Sequence, residues 1–214
     1  MVQNFPGGSK SRVTRAGDAV RGGNPSLDDL IAIEMWRAAH RHVLNTFQAI
    51  PRNRTRGQDI IVAQRHKRKL TIYDKLRRLP EMALARMDDV AGCRMIFPDI
   101  QSLYRFRNEL HAARFQHSRR NQDDKYDYIK RPKDTGYRGI HDAYEYNVKS
   151  VHGRDYKGLL IEIQYRTIYQ HAWATCVEVI GHITANQPKF QEGDKRYGLI
   201  MSLASEIIAR TCEN

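Results

Sequence analysis

Apolar positions along the chain switch between two periods. Leu30, Ile33, Trp36, Val43, Leu44 and Phe47 recur at helical spacing, and Ser26 with Asp28 and Asp29 supplies an N-cap and an acidic first turn. Pro51 is expected to stop this helix, because its ring leaves no N–H for the ladder. A basic stretch from Arg52 to Arg78 follows, with a short strand expected near 60–63 and a helix over 71–78. The apolar run from Gly92 to Phe97 reads as a buried strand. Asp99 then caps a helix through Leu103, Phe106 and Leu110. Residues 137–148 and 158–166 read as two strands joined by a turn around His152, Gly153 and Arg154, a candidate hairpin. Helices are expected over 167–183 and 195–212, split by a loop holding Pro188 and Gly193.

Two segments lack periodicity. Residues 1–25, rich in Gly, Arg and Ser, read as a flexible basic arm, leaving 26–214 as a single domain. The polar stretch 116–135 reads as a mobile loop. The order of elements is α/β, with a mixed β-sheet flanked by helices.

Composition narrows the function. Among 214 residues, 36 Lys and Arg against 24 Asp and Glu leave a net charge of +12, which favours a phosphate-rich ligand, RNA or another anionic surface, although a merely solvated basic surface fits as well. No run approaches the roughly 18 to 20 apolar residues of a membrane helix, and the N-terminus lacks the apolar core of a secretory signal, so a cytoplasmic protein without membrane contact is expected. Cys93, Cys176 and Cys212 are too few and too scattered for a disulfide framework or a paired-cysteine zinc site.

Four segments carry candidate chemistry. Arg65 to Lys75 leads from a strand into a helix start, where cationic side chains and free backbone N–H groups can face phosphates; alone, it could equally be a charged helix flank. Asp89 stands just before an apolar strand, with Arg94 five positions on. A carboxylate there suits Mg²⁺ when a triphosphate supplies further oxygens, and suits an ordinary turn just as well. In Leu160-Ile-Glu-Ile-Gln-Tyr165, strand alternation puts Leu160, Glu162 and Gln164 on one face, against Ile161, Ile163 and Tyr165 on the other. A glutamate in an apolar strand is costly unless it binds metal or is paired, an arginine being the alternative partner. The basic loop from Tyr126 to His141 ends in Gly136-Tyr137, where a glycine bend would present the tyrosine ring to a base.

In order, these segments resemble the RelA/SpoT synthetase family. Its pattern is R-x-K-x-x-x-S-I-x-x-K, D-x-x-G-x-R, Y-I-x-x-P-K-x-x-G-Y-R and E-I-Q-I-R-T followed by His or Asn. Here these stand as Arg65 to Lys75, Asp89 to Arg94, Tyr128 to Arg138, and Glu162 to Thr167 with His171. The resemblance implies a nucleotidyltransferase-like fold and transfer of pyrophosphate from ATP to the 3′-hydroxyl of GDP or GTP. Arg65 and Arg94 would sandwich adenine, and Lys67 and Lys75, beside Thr71, would bind the ATP phosphates. Asp89 and Glu162 would hold Mg²⁺, with Glu162 helping to deprotonate the acceptor. Tyr137 would stack on the acceptor base near Gln164 and His171, and Lys130, Lys133 and Arg138 would take acceptor phosphates.

Departures from the pattern are small. Thr71 keeps the hydroxyl of the usual Ser, and Tyr165 replaces Ile on the face away from Glu162. Gly139 and the run His171-Ala-Trp-Ala-Thr are more similar to single-domain members from toxin and phage-defence systems, some of which modify the tRNA 3′ end or make adenosine alarmones. No hydrolase segment or long regulatory region is evident, so a small synthetase-only form is expected. A tRNA-modifying toxin and a catalytically silent RNA-binding module remain the competing readings, and an antitoxin partner or a homo-oligomer stays open.

Overall fold

The computed structural model describes residues 5–114, 116–122, 124–184 and 186–213. In chain order the elements are α1 (Lys10–Arg21), α2 (Leu27–Arg54), β1 (Ile61–His66), α3 (Lys69–Arg78), β2 (Ala91–Phe97), α4 (Ile100–Ala112), β3 (Ser118–Arg119), β4 (Ile140–Glu145), β5 (Leu160–Thr167), α5 (Ile168–Ile183) and α6 (Lys195–Cys212). The strands form one mixed sheet in the order β1-β2-β5-β4-β3, in which only β2 and β5 run parallel. β4 and β5 pair antiparallel, as the expected hairpin requires.

Strand alternation gives the sheet two unlike faces. Met95, Ile140, Ile161, Ile163 and Tyr165 join Ile33, Trp36 and Phe47 of α2, Ile72 and Leu76 of α3, and Leu103, Phe106 and Leu110 of α4 in one apolar core. Burying a side chain of this size contributes about 1.5–3 kcal/mol, enough to fix the strand register, since a one-residue slip would invert every strand face. The opposite face carries Arg65, Gly92 and Glu162 in one row and Arg94, Gln164 and His141 in the next, as the pairings Arg65↔Gly92↔Glu162 and Arg94↔Gln164↔His141 dictate. A second, smaller core joins Trp173, Ala174 and Val177 of α5 to Met201 of α6, with Tyr137 packed against it.

Three expectations change. Within the stretch read as a flexible arm, residues 10–21 form a helix that buries Val13, Ala16, Gly17 and Val20. Gly17 permits this approach, because a Cβ there would sit 2.6 Å from Leu84 Cβ. Arg12 also pairs with Asp29 at 2.6 Å, fastening α1 to the start of α2; residues 1–4 lie outside the described residues. Pro51 does not stop α2, which runs one further turn while both the backbone N–H and the hydroxyl of Thr55 donate to the Pro51 carbonyl. The loop read as mobile is anchored: buried Asp127 accepts hydrogen bonds from the Tyr104 hydroxyl and the Ile129 and Lys130 amides, and the loop bridges to Ile140.

Candidate active site

Between the polar face of the sheet, α3, α5 and the short turn that follows α5 lies a cavity of about 360 Å³. Its walls include Arg65, Lys67, Thr71, Lys75, Asp89, Lys133, Tyr137, Glu162 and Gln164. A second cavity of about 490 Å³ shares Arg65, Lys67 and Thr71 and adds Arg94 and His171. Eleven of the thirteen residues singled out from the sequence therefore line one of two adjoining hollows.

Asp89 anchors the cationic wall. Its carboxylate pairs with Lys67 and, at 2.9 Å, with Lys75. Burial works against ionisation of Asp89, but the two ammonium groups outweigh it and hold the carboxyl at about 2. Lys67 sits at the junction of β1 and α3 and is almost fully buried, and desolvation lowers its pKa against the pull of Asp89. The residue before the first turn of α3, Arg68, makes no side-chain cap, so the free N–H groups of that helix end beside the cavities are open to an anion.

Glu162 stands on β5, beside Gly92 of the parallel neighbour β2. Its Oε1 lies 2.6 Å from His141 Nδ1, and its Oε2 accepts a bond from Gln164 Nε2 at 2.5 Å. The counter-charge for this buried carboxylate is thus a histidine and not an arginine. Burial opposes charge on both groups, yet their mutual attraction pushes His141 up to about 9 and keeps Glu162 below the usual carboxylate range. His141 Nε2 in turn meets the Tyr137 hydroxyl at 2.5 Å, and Arg166 Nη2 donates to the same oxygen at 3.1 Å. Both cations lower the Tyr137 pKa against its burial. Lys133 Nζ stands 5.4 Å and the Arg166 guanidinium 5.1 Å from the centre of that ring. Arg94 donates from Nε and Nη2 to Gln164 Oε1, both at 3.2 Å.

Residues 64–182 match the model of a region found in RelA and SpoT proteins. The chain belongs to the RelA/SpoT family. Among the family's proteins, the GTP pyrophosphokinase YjbM of Bacillus subtilis (strain 168) is 32% identical over 107 residues, 49% of this chain and 48% of that one, so the match spans about half of that relative. The crystal structure of small alarmone synthetase 1 from Bacillus subtilis superposes with a TM-score of 0.67 at 25% identity, covering 83% of this chain and 90% of that one. The same synthetase bound to its product pppGpp superposes at 0.68 with 24% identity over the same shares, a likeness of fold.

Two residues expected at the RelA/SpoT site are elsewhere. Arg138 turns away to α6, where it pairs with Glu206 at 2.5 Å and donates to the buried Ser205 hydroxyl at 3.3 Å. Lys130 lies on the outer side of the anchored loop and pairs with Asp124 at 3.1 Å. Conversely, the cavity gains Asp88, His141, Arg166, Trp173, Glu178, Lys189 and Phe190. Period-2 alternation carries a signal for two of these: Arg166 follows Glu162 and Gln164 on one face of β5, and His141 falls opposite Ile140 on β4. Lys189 and Phe190 come from the short 3₁₀ turn between α5 and α6, for which local pattern gives no pointer.

Among the described residues, no three or more His, Cys, Asp or Glu side chains form a metal cage. Two carboxylates in one cavity, Asp89 and Glu162, do fit a cation that takes its other ligands from phosphate and water. Asp88 supplies the relevant observation: it adds a third carboxyl to this corner, and burial, then the charges of Glu162 and Asp89, raise its pKa, a penalty that a divalent ion nearby would relieve. Among the described residues, no helix is long and apolar enough to cross a membrane.

Proposed function

We propose that this chain is a pyrophosphokinase that moves the β,γ-pyrophosphoryl group of ATP onto the 3′-hydroxyl of GDP or GTP, releasing AMP. The observation that carries the reading is the pairing of Lys67 and Lys75 with Asp89 in the cavity that Glu162 also lines. A triphosphate would exchange with Asp89 for the two ammonium groups and add the open N-terminus of α3. Arg65 and Arg94 line the adjoining cavity, where flat guanidinium planes can take the two faces of adenine.

Asp89 and Glu162 are the residues that would hold Mg²⁺, which when bound neutralises charge accumulating on the phosphate oxygens. Glu162 stays ionised beside His141, so its carboxylate can accept the hydrogen of the 3′-hydroxyl and aim the oxygen lone pair. The 3′-oxygen then bonds to the β-phosphorus, the bond to the α,β-bridging oxygen breaks, and the hydroxyl proton leaves through Glu162 to solvent. Lys67, Lys75 and the backbone of α3 meet the developing charge in place, which is how phosphoryl transfer is accelerated without covalent participation of the enzyme. Tyr137 offers its ring to the acceptor base, and the name of the 32%-identical relative supports guanine as that base.

The test is incubation of purified protein with Mg²⁺ and β,γ-labelled ATP, offering GDP, GTP, ADP, ATP or deacylated tRNA in separate reactions. Label in a guanosine nucleotide is the expected result, lost in Glu162→Gln. Label in tRNA alone, or label transfer at the wild-type rate by Glu162→Gln, overturns the reading.

A further inference from the structure

Helix α6 lies beyond the stretch 64–182 that carries the family's motifs, and none of its residues lines the main cavity. It nevertheless grips the turn that presents Tyr137. The Gly136 carbonyl accepts a bond from Ser205 Oγ at 2.5 Å. Ser205 Oγ in turn accepts from Arg138 Nε at 3.3 Å, and Arg138 Nη2 reaches Glu206 Oε2 at 2.5 Å. Ser205 is 4% exposed, so its hydroxyl bonds are made out of water, where an unmade bond is costly. Gly136 has φ of +84°, and a Cβ on it would stand 2.7 Å from Ser202 Cα, so the backbone of the turn rests directly on the helix.

The residues on either side of Tyr137 are therefore both bonded to α6, while the ring's hydroxyl is held from the sheet by His141 and Arg166. The helix is itself tied to α5 by Trp173 Nε1 donating to the Met201 carbonyl at 2.7 Å, and Trp173 lies 6.5 Å from the Tyr137 ring. We propose that Ser205 and Glu206 are positioning residues for the acceptor: by fixing residues 136–138 they set where the Tyr137 ring stands in the cavity. This rests on the proposed function. The groups expected to bind ATP, Arg65, Lys67, Thr71, Lys75 and Arg94, belong to β1, α3 and β2 and their junctions, away from these bonds, so the two substrates should respond separately.

The experiment compares wild type, Ser205→Ala, Glu206→Ala and Glu206→Gln in initial rates against acceptor and against ATP, with Tm recorded for each. Misplacing the ring by about 1 Å is expected to raise acceptor KM by roughly 10-fold or more in Ser205→Ala and Glu206→Ala, while ATP KM stays within about 2-fold. Glu206→Gln, which keeps an acceptor oxygen for Arg138, is expected to recover most of the loss. Should Ser205→Ala not fold, the two Glu206 variants decide, because that side chain is about half exposed. An unchanged acceptor KM, or equal rises in both KM values, in an enzyme whose wild type transfers normally overturns this inference alone. A wild type that transfers to no acceptor overturns the proposed function and this inference with it.

Discussion

His141 Nδ1 stands 2.6 Å from Glu162 Oε1, on neighbouring strands whose register puts both side chains on the polar face of the sheet. The pair raises the histidine pKa from 6.5 to about 9. A folded-state pKa above the unfolded one stabilises fully below the unfolded value, and the contribution is lost as pH rises through the folded value. The expected contribution is about 3 kcal/mol at pH 6, falling away between pH 6.5 and 9. Thermal unfolding of the ligand-free protein across this range should show the decline, and His141→Asn should flatten it. An equal decline in the variant would assign the effect to other groups.

Asp89 behaves in the opposite sense. Its carboxyl is held at about 2 against an ordinary 3.8, so its pairs with Lys67 and Lys75 stabilise above pH 3.8 and fail as pH falls toward 2. Asp89→Asn should cost about 2 kcal/mol at neutral pH, since two ammonium groups then face each other without a counter-ion. It should also abolish transfer. Because phosphate could replace the missing carboxylate, ATP without Mg²⁺ should raise the Tm of the variant more than that of wild type. Equal shifts would show that the lysines do not meet phosphate.

Tyr137 separates two roles by two substitutions. Tyr137→Phe removes the hydroxyl that His141 and Arg166 share and should cost about 1 kcal/mol of stability, with a small change in acceptor KM. Tyr137→Ala removes the ring and should raise acceptor KM by roughly 10-fold or more, leaving ATP binding nearly unchanged. Calorimetric titration with each nucleotide checks both, and a matching loss of ATP affinity would refute the acceptor assignment.

Gly136→Ala tests the seat of the same turn. The positive φ and the 2.7 Å approach to Ser202 Cα leave no room for a methyl group, and the backbone cannot yield without moving α6. A loss of about 2–3 kcal/mol is expected in denaturant unfolding. A neutral substitution would mean that the turn does not rest on the helix.

Much of this protein was legible along the chain. The alternation in β5 placed Glu162 and Gln164 opposite Ile161, Ile163 and Tyr165, because a strand's side-chain period is fixed at two by its backbone. The caps Ser26 and Asp99 marked helix starts, because their oxygens serve amides only three residues away. The motif residues around Asp89, Glu162 and Tyr137 were legible as a set through the family they share.

What the chain order could not give were partners distant in sequence. Arg138 and Glu206 are 68 residues apart, and only the packing of α6 on the Gly136 turn turned a supposed phosphate ligand into an anchor. Similarly, the apolar stripe of α1, Val13, Ala16, Gly17 and Val20, is short and built of small residues among glycines and arginines, and its order comes from a surface that α2, α3 and Leu84 provide. Local sequence thus determined the period, the caps and the chemical inventory, since those depend on neighbours within a turn or a strand. Tertiary structure decided which charges meet, because a charged side chain takes whichever partner the fold brings within about 4 Å.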